Sequence, residues 1–360
     1  MSARILNRDE LLRLIDEAAR DRRLIGPVRR GERTFYEAAD RAAELDLDGP
    51  QCVYSPKAHF FPPEETLLTF ERKSRSFVTH PVRHETPTAL VAVRPCEIHG
   101  IRLLDHVFGA APADEGYLAR RRATFIIALD CFRPCRDEAF CGDLGTNTAH
   151  LGFDLMIRRL SDPEEGSRGA ERFELTSATE DGASLLSRAG LGRTADRADL
   201  DAVRAYERSK ASAFPRRLSC EADRLPEVAQ RGYTSTVWER TAARCYSCGS
   251  CNLVCPTCYC FNLRDEVSLD GKSGARVREW DGCQLREFAV VAGGHNFRAA
   301  PAERLRHRVM RKASWIAQRT GLPGCVGCGR CDRACTAKIS LVEILNTLAR
   351  EQDHDHAGHS

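Results

Sequence analysis

Residues 245–256 read Cys245-Tyr-Ser-Cys248-Gly-Ser-Cys251-Asn-Leu-Val-Cys255-Pro256. Residues 325–335 repeat the spacing as Cys325-Val-Gly-Cys328-Gly-Arg-Cys331-Asp-Arg-Ala-Cys335, with Thr336 where the first run has proline. Each is C-x2-C-x2-C-x3-C, the run by which thiolates hold [4Fe–4S] clusters. Two residues between ligands let a tight loop wrap three corners of a cubane. Gly249, Gly327 and Gly329 allow close approach and leave backbone N–H groups free for cluster sulfurs. In paired runs the fourth cysteine serves the other cluster. The spacing therefore predicts one cluster on Cys245, Cys248, Cys251 and Cys335, and a second on Cys255, Cys325, Cys328 and Cys331. Four thiolates also suit zinc, but two complete copies of the run favour iron and sulfur.

Working outward, the 69 residues between Cys255 and Cys325 exceed what a small two-cluster domain needs. Their pattern reads as helical rather than as a β-hairpin. Helices are predicted over 234–243, 283–292, 302–319 and 339–350, and strand signals nearly vanish after residue 230. This half resembles the α-helical ferredoxin domains of fumarate reductase iron–sulfur subunits and heterodisulfide reductase C subunits.

The first half reads differently. A helix is predicted over 8–23, from the apolar stripe Leu11, Leu12, Leu14, Ile15 and Ala18. TALVAV (88–93) and TFIIAL (124–129) are short apolar runs suited to buried strands, and each stops just before a cysteine: Cys96 and Cys131. Segments 153–159 and 172–177 suggest a hairpin across the polar turn SDPEEGSRGAE. Residues 197–214 read as a polar connecting helix. The expected fold class is a mixed α+β domain (1–225), an all-α, helical-ferredoxin-like domain (226–349) and a disordered His-rich tail (350–360).

Cys96, Cys131, Cys135 and Cys141 are four further candidates. Two of their loops leave predicted strands, and adjacent parallel strand ends would bring them together around a third [4Fe–4S] cluster. A zinc site and plain core cysteines are the competing readings. Cys258, Cys260 and Cys283 suit buried filler or residues lying near a cluster, and Cys52 and Cys220 read as structural. Gly293–Arg298 is a glycine turn with polar groups. His354, His356 and His359 belong to the solvated tail.

Composition bounds the rest. Across 360 residues the chain is 42% hydrophobic and 29% charged, with net charge +3, so no basic field grips nucleic acid. Only six of its 54 basic residues are lysine. Seventeen cysteines without an apolar leader point to a reducing, cytoplasmic setting and to metal or redox work rather than disulfides. No 18-residue apolar run exists to span a membrane. No G-x-G-x-x-G or G-x4-G-K-[ST] cradle appears, and no catalytic triad, so no catalytic residues and no flavin or NAD(P)H are expected in this chain.

The phrases VRPCEIHGIRLLDHVF, LDCFRPC, FCGDLGTN, CYSCGSCNLVCPTCYCF and VAGGHNFR resemble the beta subunits of cytoplasmic [NiFe] sulfhydrogenases and the related A subunits of anaerobic sulfite reductase. The resemblance covers residues 50–345. It implies an electron-transfer subunit of an oxidoreductase complex, without bond-making chemistry of its own. The subunit would relay electrons between a flavin- and NAD(P)H-binding gamma-type subunit and the small and large [NiFe] hydrogenase subunits. A sulfite reductase subunit, and a redox-sensing or scaffold iron–sulfur protein, are the alternatives.

Overall fold

The computed structural model describes residues 3–357 apart from 75, 84 and 161–170. Its strands are β1 (Arg4–Leu6), β2 (Arg23–Arg30), β3 (Arg33–Ala38), β4 (Glu64–Lys73), β5 (Ser76–Pro81), β6 (Thr88–Val93), β7 (Thr124–Leu129), β8 (Leu155–Arg159), β9 (Phe173–Ser177), β10 (Arg193–Thr194), β11 (Phe261–Val267) and β12 (Ser273–Trp280). Eight of them form a sheet ordered β10-β1-β9-β8-β7-β6-β2-β3. Its centre, β8-β7-β6-β2, is parallel, and the flanking pairs are antiparallel.

The two apolar runs become β6 and β7, and all twelve of their residues are buried. Strands buried on both faces need helices on both sides. One face packs under the helices Arg8–Ala18 and Glu180–Ala189, the other under Pro95–Gly109 and Glu115–Arg122. Each fully buried Leu, Ile or Phe there contributes about 1.5–3 kcal/mol. The first helix ends at Ala18, short of the expected residue 23, because Arg23 already belongs to β2. Strands β8 and β9 pair antiparallel as expected, while most of their polar turn lies outside the described residues.

The second half is not all-α, which corrects the expectation for 226–349. Strands β11 and β12 form an antiparallel hairpin, and β12 pairs with β4 from the first half in a sheet ordered β11-β12-β4-β5. The hairpin hides in the sequence because charge pairs hold it. Arg276 Nε and Nη2 each reach Asp265 at 2.8 Å, and Arg264 meets Glu64 and Glu279. The helix expected over 283–292 is only a short 3-10 turn, Glu287–Ala289. The helical run over 301–320 does form, with a π-helical stretch at Arg311–Trp315. The last helix runs Leu341–Ala357, into the stretch expected to be a disordered tail. The side chains of His354, His356 and His359 lie outside the described residues. Helices of this half share a core built on Trp238, Val309, Leu345 and Leu348, which Phe140 of the first half enters. No helix among the described residues is long and apolar enough to cross a membrane.

Candidate iron–sulfur sites

The two cysteine runs fold alike. In the first, the Ser247 N–H donates to Cys245 Sγ at 3.4 Å; in the second, the Gly327 N–H donates to Cys325 Sγ at 3.4 Å. Both donors sit in the left-handed region, Ser247 at φ 52° and Gly327 at φ 60°. Gly249 (φ 76°) and Gly329 (φ 72°) then open the short helices Ser250–Leu253 and Arg330–Ala334, which carry Cys251 and Cys331. Those two helices pack against each other. Such N–H···S bonds are the contacts that tune a thiolate-bound cluster.

Cys255, Cys325, Cys328 and Cys331 line one small enclosed cavity together with Phe140, Val326, Arg308 and Lys312. Burial pushes the Cys325 thiol up to about 11 and the Cys328 thiol up to about 12. Metal-free, Cys325 and Cys328 stay protonated, so loading iron on them must release protons. Cys255 goes the other way. The Cys258 thiol hydrogen-bonds it, and the Lys312 and Arg308 cations favour its thiolate, which outweighs burial. At the outer end, Cys248 is exposed, with its Sγ 3.3 Å from Ser250 Oγ. Cys251 has Cys283, Cys245 and Cys255 as its thiol neighbours. Cys335 follows the Arg330–Ala334 helix, and its Sγ accepts from the Ile339 N–H at 3.4 Å.

The third constellation is built by the sheet. Because β6 and β7 are adjacent and parallel, their carboxyl ends lie side by side, where open α/β sheets place ligands. A bulge at Ala92, in the left-handed region at φ 58°, breaks the register just before Arg94. Cys96 opens the Pro95–Gly109 helix, and Cys131 leaves β7. The Arg94 guanidinium reaches Cys131 Sγ at 3.6 Å and also feels Cys135. Burial raises the Cys141 thiol, with Cys131, Cys135 and Cys328 adding to the rise. Burial likewise raises Cys96, with Glu97, Cys328 and Cys135 adding. Cys135 thus neighbours each of the other three, Cys131 neighbours Cys141, and Cys328 of the second run neighbours Cys96 and Cys141.

Backbone contacts clamp this loop to the second run. The Phe140 N–H donates to Gly327 O at 2.8 Å, and Thr146 Oγ1 donates to Val326 O at 2.8 Å. A Cβ on Gly327 would lie 2.6 Å from Cys141 N, and one on Gly329 would lie 2.7 Å from Glu138 C. A buried Arg330–Glu97 ion pair and an Arg330 bond to Cys52 O (3.0 Å) complete the seam. Cys52 is therefore a backbone anchor, and Cys220 packs in the helical core. Asn252 Nδ2 donates to Cys258 Sγ (3.6 Å) and Cys283 Sγ (3.5 Å), so both border the first run. Gly293 and Gly294 form an exposed turn closed by a Val290–Asn296 bridge.

The donor set suits an anionic, thiolate-held cluster: paired N–H···S bonds, sulfurs facing one cavity, and buried cations beside them. Among the described residues no group of three or more His, Cys, Asp or Glu converges tightly enough for a single metal ion. A larger cavity, about 700 Å³, opens by the start of β2 and β6 and is lined by Tyr36, Tyr54, His59 and Trp280. None of the twelve candidate cysteines lines it, and its size does not draw the chemistry there.

Sequence reading missed the cations. Lys57, Lys210 and Lys312 are buried, half of the lysines in an arginine-biased chain. Lys57 Nζ donates to Cys258 O at 3.0 Å, and Lys210 Nζ reaches Asp130, the residue before Cys131, at 2.6 Å. Their scarcity was the available signal.

A family profile described as a 4Fe-4S dicluster domain matches residues 244–339. The chain is also 32% identical over 329 residues to sulfhydrogenase 2 subunit beta of Pyrococcus furiosus, an alignment covering 91% of this chain and 92% of the relative. With an identity of that extent running through both the sheet and the cysteine runs, the chain belongs to the sulfhydrogenase beta-subunit family.

Proposed function

We propose that this chain is an iron–sulfur electron-transfer subunit, passing electrons between a flavin- and NAD(P)H-handling subunit and a [NiFe] hydrogenase module. The supporting observation is the serial arrangement of three cysteine constellations. An outer group, Cys245, Cys248 and Cys251, to which the spacing of the paired runs adds Cys335 as the fourth ligand, has its exposed edge at Cys248. An inner group follows, Cys255, Cys325, Cys328 and Cys331, facing one cavity. Cys96 and Cys141 then lie beside Cys328, with Cys131 and Cys135 as further neighbours of Cys141. We assign a [4Fe–4S] cluster to each. Each such group, when bound, takes up and gives back one electron.

The chain's own residues do the rest. Ser247 and Gly327 donate N–H groups to ligand sulfurs, Val326 and Phe140 exclude water from the inner site, and the 131–146 loop holds the third group against the second run. Flavin and the nicotinamide belong to the partner in this reading.

In the assembled complex, Cys245→Ser or Cys325→Ser should abolish hydrogen-linked NAD(P) reduction and leave dye reduction by the flavin subunit intact. Loss of both activities in a complex that stays assembled would contradict the relay, as would full retention of the hydrogen-linked activity.

A further inference from the structure

On the run 301–320, Arg304, Arg308 and Lys312 recur every four residues and so share one face. They are not equivalent. Arg304 is fully engaged: it donates to Gln284 O (3.1 Å), Arg298 O (3.0 Å), Ala299 O (2.6 Å) and Ser247 Oγ (3.0 Å). One turn on, Arg308 is 6% exposed, and its Nε is buried without a hydrogen-bond partner. One turn further, Lys312 is also 6% exposed. Its Nζ donates at 2.6 Å to Thr257 Oγ1, which itself lies 3.3 Å from Cys255 Sγ. Among the described residues neither cation pairs with a carboxylate. A desolvated cation without a counter-charge is strongly unfavourable. The two together point to an anion that the protein chain itself does not supply.

Both cations line the cavity shared by Cys255, Cys325, Cys328 and Cys331. The fold takes trouble to put them there. Lys312 lies in the π-helical stretch Arg311–Trp315, a wide turn of a kind that recurs at functional sites. Gly324, next to the ligand Cys325, admits that turn: a Cβ there would lie 2.6 Å from Arg311 O and 2.9 Å from Lys312 O. Four thiolates more than cancel the positive charge of a cubane core, so the group they hold is an anion, and reduction adds negative charge.

We infer that Arg308 and Lys312 are the buried counter-charges of the inner cluster and set its reduction potential, with Arg308 reaching the outer cluster as well. The inference rests on the reading that Cys255, Cys325, Cys328 and Cys331 hold a [4Fe–4S] group. A cation in a low-dielectric site stabilises the reduced form more than the oxidised form, and so raises the potential. Position separates the two residues. Arg308 has Cys251 of the outer group and Cys331 and Cys255 of the inner group as electrostatic neighbours. Lys312 has Cys255, Cys258 and Cys325. Lys312, which lines the inner cavity and reaches Thr257 beside Cys255, therefore acts chiefly on the inner cluster, and Arg308 on both.

The test is a redox titration of the anaerobically prepared full chain, followed by electron paramagnetic resonance. The inner signal is identified by its loss in Cys325→Ser. Lys312→Met should lower the inner potential by at least tenfold in the reduction equilibrium, about 59 mV for one electron, and leave the outer signal in place. Arg308→Met should lower both. Lys312→Arg and Arg308→Lys should restore most of each shift. Loss of inner iron in Lys312→Met with retention in Lys312→Arg supports the same role, whereas loss in both marks packing and overturns it. Unmoved potentials with full iron, or equal shifts in the Met and charge-keeping variants, also overturn it. If no signal disappears in Cys325→Ser, the ligand reading itself fails and takes this inference with it.

Discussion

The two cysteine runs share spacing, backbone and N–H···S bonds, yet they occupy opposite surroundings. The first lies open: Cys248 is exposed, Tyr246 is 73% exposed, and the neighbour nearest a Cβ on Gly249 is the flexible end of Leu285. The second is enclosed: Cys328 is 7% exposed, and Gly327 and Gly329 press on the backbone of the 138–141 loop. One local solution thus stands at the surface in one place and in the interior in the other. What packs against the run decides which, and the same glycine letter answers a different constraint in each.

The difference is broken most severely at the ligands. Cys248→Ser should remove about four iron atoms from a chain that otherwise loads normally. Cys328→Ser should remove more, because its sulfur stands beside both the inner and the third constellations. Iron analysis of the two variants, prepared anaerobically, checks this. Equal losses would make the inner run as independent as the outer.

Glycine substitution separates the two surroundings next. Gly327→Ala meets both a positive φ and a backbone contact, and should cost about 3 kcal/mol or more. Gly249→Ala meets the positive φ and a side chain that can yield, and should cost about 1–2 kcal/mol. Chemical denaturation of both variants measures the gap, and a Gly249→Ala cost as large as that of Gly327→Ala would contradict it.

A smaller effect is expected where the enclosing loop is anchored. Lys210 and Tyr206 of the Arg197–Ala213 helix both hold the buried Asp130 carboxylate. Lys210→Met should destabilise the chain by about 1–3 kcal/mol and loosen the third iron site before the outer one. Hydrogen exchange over 131–146 against 245–255 reads the order of loosening.

The smallest effect belongs to the open run. Tyr246→Ser should leave iron content and melting temperature unchanged and slow electron exchange with a partner protein by about twofold to tenfold, roughly 1 kcal/mol in the barrier. Stopped-flow reduction of the chain by its partner measures it.

How much of this was legible follows from what stabilises each part. The two cysteine runs were readable as a dicluster domain because cluster chemistry fixes their spacing. Strands β6 and β7 were readable because burial on both faces leaves six consecutive apolar residues, and their parallel pairing follows from the helices between them. The β11–β12 hairpin was not, since β11 is almost wholly exposed and carries Arg264, Asp265 and Glu266 in place of a buried apolar face. Its Asp270-Gly271 turn was the overlooked signal. Arg308 and Lys312 were unreadable as site residues because an amphipathic helix ordinarily turns such groups to water. Only the packing of 301–320 on the second run reverses that.

The central claim is a chain of three clusters whose inner member joins the outer to the third. Iron and acid-labile sulfide, determined on anaerobically prepared wild type and on Cys131→Ser/Cys141→Ser, test it most directly. The account predicts about twelve iron atoms per chain in the wild type and about eight in the double variant, with the resonance signals of the other two clusters retained. An iron content that is the same in both folded proteins would contradict it.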